Sequence, residues 1–371
     1  MPPLNRREAL QIGGIALGTA VAGCLGSADD ESDPTDTTNR SNQDRKLLDY
    51  EVVQFSGSDG TPNWYDDSTT ARSLVIDSEK RARAAFGYDA SDKVQNAVEG
   101  TDFDSSVLLS VTVAAPTACY HVELDDLSLD DDRLVGSVSA VDDDGHEDDM
   151  CVQTVSFPAV LVRAQFDGTP VSRATLSVTD GWDDETELEV SASDSLSPAP
   201  SELPGHVRPD GDPANIPPEL SCEDDAFERH PSWFDDSDVS WGEATGNDGE
   251  PSFALRVDET TVERGDTIDV TLTNVTDEEQ TTGNRHKYSL QVRTEAGWED
   301  VRGSTSAEHF GYTDEAILHP PGEGFNWTIE MTENGLVEDH PFDLEVCPDL
   351  PAGRYRFVHW GPTVAVAFDV E

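Results

Sequence analysis

Cys24 is the residue whose chemistry is best defined by its neighbours in the sequence. Arg6 and Arg7 form a basic pair near the start of the chain, and an uncharged, mostly apolar run over residues 12–23 leads to the cysteine. A basic region, a short apolar region and a small-residue cleavage site make up a secretory signal, and paired arginines are typical of twin-arginine (Tat) export. The apolar run is shorter than the roughly 20 residues that an uncleaved transmembrane helix needs. The pattern therefore favours a cleaved export signal.

Residues 21–24, with the sequence Val-Ala-Gly-Cys, resemble the lipobox of bacterial and archaeal lipoproteins. The resemblance implies that the signal is cut just before Cys24 and that lipid is attached to the cysteine sulfur. A single acyl chain binds a membrane only marginally, and lipoprotein cysteines of this type normally carry more than one. We therefore expect residues 1–23 to be a signal peptide and residues 24–45 to be a disordered acidic tether. The rest of the chain is then lipid-anchored at the extracellular face of the cell membrane.

Four further cysteines have the chemistry of structural crosslinks. They are Cys119, Cys151, Cys222 and Cys347. An even number of cysteines in an exported chain indicates disulfides, and four cysteines allow three pairings. We favour pairing within domains, which joins Cys119 to Cys151 and Cys222 to Cys347. A zinc site is the alternative, but the sequence contains no Cys-x-x-Cys spacing.

The charge of the chain limits its partners and its surroundings. Acidic residues number 77 against 23 Lys and Arg, which gives a formal net charge of -54. Such a charge destabilises the compact state by self-repulsion, and molar salt screens it because the Debye length falls to roughly 3 Å. The composition resembles that of proteins from extreme halophiles, and with the export signal it resembles a haloarchaeal surface protein. Nucleic acid is excluded as a partner because no basic patch exists to neutralise phosphates.

Histidines and clustered carboxylates are the remaining candidates for catalysis or metal binding. The chain has nine histidines, but none occurs in a His-Glu-x-x-His motif, and His121 alternates within a strand as a structural residue would. The acidic run over residues 142–149 does not match the fixed spacing of an EF-hand loop, so we interpret it as a solvated hairpin tip. The sequence also lacks a Gly-x-Ser-x-Gly elbow, a Ser-x-x-Lys pair and a phosphate-binding loop. We therefore predict no catalytic residue, no metal site and no cofactor.

Three Asn-x-Ser/Thr sequons are candidate glycosylation sites, at Asn39, Asn274 and Asn326. Exported chains can be modified at such positions. Asn326 lies within a predicted strand, where its side chain could be shielded from the modifying enzyme.

Residues 46–194 have the pattern of a β-rich domain with one helix. Alternating or continuous apolar residues predict strands at 50–55, 106–113, 120–124, 133–141, 151–157 and 159–166. Residues 78–86 predict a short helix with Ser78 as its N-cap. The strands at 120–124 and 133–141 form a predicted hairpin, and Pro158 is expected at a bend or an edge because it lacks an amide donor.

Three segments of this domain carry a resemblance. Residues 101–109, 119–124 and 151–163 resemble the C-terminal domain of the PrcB family, whose lipoproteins stabilise a surface protease complex. Cys119 stands where that family usually has glycine before a tyrosine. The resemblance covers roughly residues 73–168 and implies a β-rich fold and a protease-stabilising role.

Residues 195–250 are rich in proline and predict a semi-rigid, extended linker. Cys222 and nearby aromatic residues indicate that its later part docks on the domain that follows.

Apolar and polar residues alternate with period two over residues 251–371, which predicts a β-sandwich. Predicted strands are 252–257, 267–275, 287–293, 325–331, 354–360 and 364–370. Tyr355 and the loop before it resemble a tyrosine corner, and the whole segment resembles bacterial immunoglobulin-like domains of cell-surface proteins.

These observations predict a mostly β chain, with an α+β or β-rich N-terminal domain followed by an immunoglobulin-like β-sandwich. The function they favour is that of a non-enzymatic, membrane-anchored surface lipoprotein. Such a protein would bind or stabilise another cell-envelope protein, and a protease complex is one such partner. The alternative is a lipoprotein that captures a solute or a metal, but such chains usually alternate helices and strands around a cleft.

Overall fold

The computed structural model describes residues 45–56, 70–87, 90–142, 152, 154–306, 310–338 and 340–371. Several predicted features lie outside the described residues: the signal and most of the tether with Arg6, Arg7, Cys24 and Asn39, and farther along the chain Cys151 and nearly all of the acidic run 142–149. The protein is mostly β, with 47% strand and 6% helix, as the sequence predicts.

The first half of the described chain contains two four-stranded sheets and two helices. The elements are β1 (Lys46–Ser56), β2 (Ala71–Ile76), α1 (Glu79–Phe86), α2 (Asp92–Glu99), β3 (Ser106–Val113), β4 (Tyr120–Asp130), β5 (Arg133–Asp142), β6 (Pro158–Asp167), β7 (Arg173–Thr179) and β8 (Glu185–Ser191). One sheet has the order β1-β6-β3-β2 and the other the order β4-β5-β7-β8. Only the β5–β7 pair is parallel among these neighbours.

Strand β3 of the first sheet is buried on both faces. Val107, Leu109 and Val111 point into the core between the two sheets, while Leu108 packs under the helices on the opposite face. Because both faces of β3 are covered, its sequence is a nearly continuous apolar run, as expected for a doubly buried strand.

Two of three local predictions for the first half of the chain are confirmed by the structure. The Ser78 hydroxyl accepts a hydrogen bond from the Arg81 amide (3.3 Å) at the start of α1, which confirms the predicted helix and cap. The hairpin β4–β5 is confirmed, and Asp131 takes a positive φ of 53° in its two-residue turn. The strand predicted at 151–157 is wrong for its described residues. There Ser156 makes only an isolated bridge to Ala115, and the strand begins at Pro158, whose missing amide suits a first position.

The second half is a sandwich of strands with short accessory pairs. Its strands are β9 (Glu228–Arg229), β10 (Ser240–Trp241), β11 (Glu243–Thr245), β12 (Pro251–Val257), β13 (Thr261–Val262), β14 (Thr267–Asn274), β15 (Gln280–Thr282), β16 (Tyr288–Thr294), β17 (Gly297–Asp300), β18 (Arg302–Ser304), β19 (Ile317–His319), β20 (Gly324–Glu330), β21 (Glu345–Val346), β22 (Gly353–His359) and β23 (Val364–Val370). One sheet has the order β10-β23-β22-β16-β17, with β13 also on β23, and the other the order β11-β12-β14-β20. Two small accessory sheets are the pair β15-β19 and the three-stranded sheet β21-β18-β9.

A single apolar core fills the space between the two sheets of this sandwich. Tyr355 and Phe368 stack within it, with ring centroids 6.0 Å apart. The Tyr355 hydroxyl donates to the Pro351 carbonyl (2.6 Å). This is the bond back to the preceding loop that a tyrosine corner makes.

Residues 195–250 lie along the second sandwich, although their proline content predicts an extended spacer. The Leu196 amide donates to the Asp277 carboxylate (2.6 Å), and His206 and Val257 exchange two backbone hydrogen bonds (2.7 and 2.9 Å). Strands β9, β10 and β11 of this segment pair with β18, β23 and β12. The segment is therefore a structural part of the sandwich, because its backbone groups are hydrogen-bonded to it.

Candidate functional site

The cysteines predicted to form crosslinks do so where the structure describes them. Cys222 and Cys347 form a disulfide across 125 residues of sequence, with their Cα atoms 5.7 Å apart. Cys119 is also disulfide-bonded, and its predicted partner Cys151 lies outside the described residues.

The two described sequons differ in accessibility. Asn274 is fully buried, and its Nδ2 donates to the carbonyls of Glu278 and His319 (both 2.8 Å). Its Oδ1 accepts hydrogen bonds from the amide and hydroxyl of Thr276. The prediction of a glycosylation site at Asn274 is therefore wrong for the folded chain, because this amide nitrogen faces no solvent. Asn326 is exposed on β20, so its position in a strand does not shield it.

The most unusual chemistry of the described chain is a buried ion pair between Asp300 and Arg302. The Asp300 carboxylate accepts hydrogen bonds from the amide and Nε of Arg302 (both 3.0 Å) and from its Nη2 (3.1 Å). A fourth bond comes from the Leu290 amide (3.0 Å). Arg302 also lies over the ring of Tyr288, 4.6 Å from its centroid. Both charged side chains are essentially inaccessible to solvent.

A chain of polar contacts leads from this pair toward the surface. His230 Nδ1 lies 3.5 Å from Asp300 Oδ2, and His230 Nε2 lies 2.7 Å from the Tyr312 hydroxyl. The same hydroxyl lies 3.3 Å from His340 Nε2, and His340 Nδ1 accepts from the Phe342 amide (3.3 Å). Since His340 Nδ1 is an acceptor, a neutral His340 carries its proton on Nε2 and donates to Tyr312. Tyr312 then donates to His230 Nε2.

The pKa values of Asp300, Tyr312 and His340 keep each of these three groups in one protonation state at neutral pH. The pKa of Asp300 is lowered despite the opposing effect of burial, because Arg302 and His230 stabilise the carboxylate. Burial raises the pKa of Tyr312 above its usual range. Burial and the nearby Arg302 lower the pKa of His340 to about 3. At neutral pH the carboxylate is therefore charged, while Tyr312 and His340 are neutral.

The network supports an aromatic stack at the surface. The Trp360 ring lies edge-to-face with Tyr312, with centroids 4.7 Å apart. Trp233 stacks on Trp360 at 5.7 Å with an interplanar angle of 12°, and it remains 51% exposed. We call Trp233, Trp360 and Tyr312 the aromatic platform. Phe342 also meets Tyr312 edge-to-face at 4.9 Å, so the base of the platform is held on several sides.

Two other histidines are buried apart from the network. His319 Nε2 lies 2.7 Å from the Thr282 hydroxyl, and burial lowers the pKa of His319 to about 4. His359 lies in the core near Trp327, with ring centroids 5.5 Å apart. Burial lowers the pKa of His359 to about 4 as well. Both side chains are neutral structural groups at neutral pH.

Within the described ranges, no group of three or more His, Cys, Asp or Glu side chains has an arrangement suited to a metal ion. Among the same residues, no helix has the length and apolar character to cross a bilayer.

Comparisons of the chain with protein-family models, with curated proteins and with solved structures found no match. The resemblances given by the sequence motifs therefore stay predictions.

Sequence reasoning did not find this network or its platform. His230, Tyr312 and His340 are separated by 82 and 28 residues, and such spacing has no local motif. The one sequence signal is the aromatic group that includes Trp233, within a segment that composition alone describes as a linker.

Proposed function

We propose that this chain is a non-enzymatic, lipid-anchored surface protein that binds another protein of the cell envelope. The export signal before Cys24 supports the location. The aromatic platform supports the binding role, and the observation that carries it is the 51% exposure of Trp233. A half-exposed tryptophan fixed against a second aromatic ring has the character of an interface anchor, because tryptophan is enriched among residues that dominate binding energy.

The rigidity of the platform strengthens this argument. Binding costs less conformational entropy when the contacting side chain is already held in place. Trp233 stacks on Trp360, which in turn rests on Tyr312, and the Tyr312 hydroxyl is hydrogen-bonded to His230. The buried polar network therefore acts as the support of the exposed ring.

The same pKa values favour a structural role for the network over acid–base catalysis. A general acid or base works best with a pKa near the operating pH. The pKa of His340 is about 3, and that of Tyr312 is raised. Neither Tyr312 nor His340 is therefore suited to exchange a proton near neutral pH.

The binding role is tested by Trp233→Ala, with Trp182→Ala as a matched control. Trp182 is 48% exposed and lies in the first half of the chain. Tagged variants are recovered from detergent-solubilised membranes and the co-purifying proteins are quantified. We expect one specific protein to be lost with Trp233→Ala and retained with Trp182→Ala. Equal recovery with both variants would reject the platform as the binding surface.

The anchor is tested by Cys24→Ser. Serine cannot carry a thioether-linked lipid, so we expect the product to be released from the membrane or to accumulate with its signal uncleaved. Mass spectrometry of the purified chain and fractionation of the cells measure both outcomes. An unchanged mass together with unchanged membrane retention contradicts the anchor.

A protease complex is the partner class that the sequence resemblance of residues 73–168 implies. Deletion of this chain is then expected to shorten the lifetime of a surface protease assembly, measured by native gels and peptide hydrolysis on washed cells. A lifetime equal to that of the parent strain rejects this partner class without affecting the Trp233 test.

Solute capture is the second candidate, and one cavity favours it. A cavity of about 800 Å³ opens between β1, β4 and the start of α2, lined in part by Gln54, Lys93, Tyr120 and His121. Its volume falls within the range of small-molecule sites. Thermal unfolding with sugars, peptides and metal salts at high salt concentration tests this role, and the absence of any shift rejects it.

A further inference from the structure

Two edge strands in the first half of the chain differ in how far their apolar side chains are exposed. Strand β8 ends the sheet β4-β5-β7-β8 and presents three exposed carboxylates at alternating positions, Glu185, Glu187 and Glu189. Strand β1 ends the facing sheet. Three of its exposed side chains are large and apolar: Leu48 is 54% exposed, Tyr50 40% and Val52 38%. They alternate with the exposed charges of Asp49 and Glu51.

The backbone of β1 has an open side. Strand β6 is its hydrogen-bonded neighbour in the described part of the sheet, so the amide and carbonyl groups of its other edge point away from the sheet. Near its end, the Gln54 side chain donates to the Val122 carbonyl of β4, which brings the two edges together. Residues 48–52 precede this contact and are all exposed.

The apolar side chains of β1 lie at the margin of the core. Tyr50 is opposite Ala164 and Val52 is opposite Val162, and both partners are buried between the two sheets. Directly opposite residues point to the same face of a sheet. Tyr50 and Val52 therefore project toward the seam of the sandwich, where a further strand would complete the apolar layer.

Exposed edges in soluble proteins are normally blunted with charge, because they can pair with other chains. This chain has 77 acidic residues in 371, and it uses three of them on β8. On β1 the exposed charges are Lys46, Asp49 and Glu51, while Tyr50 and Val52 stay apolar and are each more than a third exposed. These exposed apolar side chains make β1 a surface suited to pairing with a further strand.

We propose that β1 binds an extended segment of a second, different protein as an added strand, and that this segment alternates apolar with basic residues. Apolar side chains would lie opposite Tyr50 and Val52, and basic side chains opposite Asp49 and Glu51 on the other face. Glu51 already forms an ion pair with Arg163 within the sheet. The Asp49 carboxylate is therefore expected to contribute more to the attraction of a basic side chain. A second copy of the chain is disfavoured because two bodies of net charge -54 repel each other.

The probe is a labelled synthetic decapeptide of alternating valine and lysine, added to the full chain. Comparison peptides replace lysine with glutamate, or place a proline at the centre, which removes an amide donor needed for strand pairing. Fluorescence anisotropy measures affinity, and hydrogen exchange measures protection of the amides of residues 46–52. We expect protection there with the valine–lysine peptide and much weaker binding of both comparison peptides.

The variant Tyr50→Lys/Val52→Lys is expected to weaken binding of the probe at least about tenfold, by placing like charge at the interface. Glu187→Gln/Glu189→Gln on β8 raises the net charge by the same two units and is the matched control, with wild-type affinity expected. Both pairs of sites are exposed, so the fold is expected to persist, and far-ultraviolet circular dichroism verifies it.

Three results would overturn the proposal: unchanged affinity of the β1 variant, equal binding of the proline peptide, or protection confined to another strand. Light scattering of the chain alone tests for a dimer. A dimer that is lost in the β1 variant would overturn the proposal, because the occupant of β1 would then be a second copy of this chain. The test uses no property of Trp233, so its failure leaves the proposed function standing.

Discussion

Asp300 receives three of its four hydrogen bonds from a single residue, Arg302. One comes from the Arg302 backbone and two from its guanidinium, which fixes both the chain and the side chain at the point where β17 passes into β18. The Arg302 carbonyl also accepts from the His230 amide (2.9 Å). Arg302 therefore contacts both its own ion-pair partner and the segment 195–250 that packs on the sandwich.

The first prediction concerns this pair. Arg302→Met leaves the Asp300 carboxylate buried without its cation, and removing one partner of a buried ion pair is expected to lower the free energy of unfolding by about 3–5 kcal/mol. Arg83→Met is the control, since Arg83 and Glu79 form an exposed pair on α1 whose loss is expected to change stability by less than about 1 kcal/mol. Urea unfolding at fixed salt measures both, and equal effects contradict the prediction.

The second prediction concerns the support of the aromatic platform. Tyr312→Phe keeps the ring but removes the hydroxyl, which leaves His230 Nε2 without its donor and His340 Nε2 without its acceptor. Stability is expected to fall by about 1–3 kcal/mol, the range for an unsatisfied buried polar group. Tyr50→Phe, on the exposed strand β1, provides the reference in the same unfolding assay. A loss no larger than that of Tyr50→Phe argues against the network.

The third prediction is a dependence of stability on pH. The pKa of His319 falls from 6.5 to about 4 in the folded chain because of burial. The unfolded chain therefore binds more protons between pH 4 and 6.5, and stability decreases as pH falls through this window, by up to about 1.4 kcal/mol per pH unit. His319→Gln is expected to reduce the slope of unfolding free energy against pH, relative to wild type and to the exposed His206→Gln. Parallel curves for all three proteins contradict the assignment.

The fourth prediction concerns salt. With a net charge of -54, self-repulsion extends over about 10 Å at 0.1 M salt and is confined to about 3 Å at 1 M. The unfolding temperature is expected to rise when sodium or potassium chloride is raised across this range. Sucrose at matched osmolality is the uncharged control, because it does not screen charge. A falling or constant unfolding temperature in salt would show that repulsion does not limit stability.

The regular part of the fold could be predicted from the sequence because local patterns determine it. The apolar run of β3, the two-residue turn of the β4–β5 hairpin and the cap at Ser78 each follow from neighbouring residues. Helix α2 was not predicted, since it is only eight residues long and buries only Val94. The prediction of a strand before Pro158 was wrong. Its residues have the apolar pattern of a strand, but those that the structure describes are not paired with a neighbouring strand in a sheet.

The candidate site could not be predicted from local sequence patterns. Asp300, Arg302, His230, Tyr312 and His340 come from four separate stretches of chain. The pairing of β9 with β18 brings His230 to Arg302. Histidine motifs depend on short spacing, so the sequence presented these histidines as scattered. Strand pairing between segments that are distant in the sequence brings these residues together, and composition does not predict that pairing.

The packing of residues 195–250 on the second sandwich has a practical consequence for truncation. A fragment starting at Pro251 would lack β10 and β11, which pair with β23 and β12. It would also leave Cys347 without Cys222 and remove the donors that Ser195 and Leu196 direct to Asp277. A separately expressed C-terminal half therefore has to begin near Ser195, well upstream of the change in composition that suggests a domain boundary.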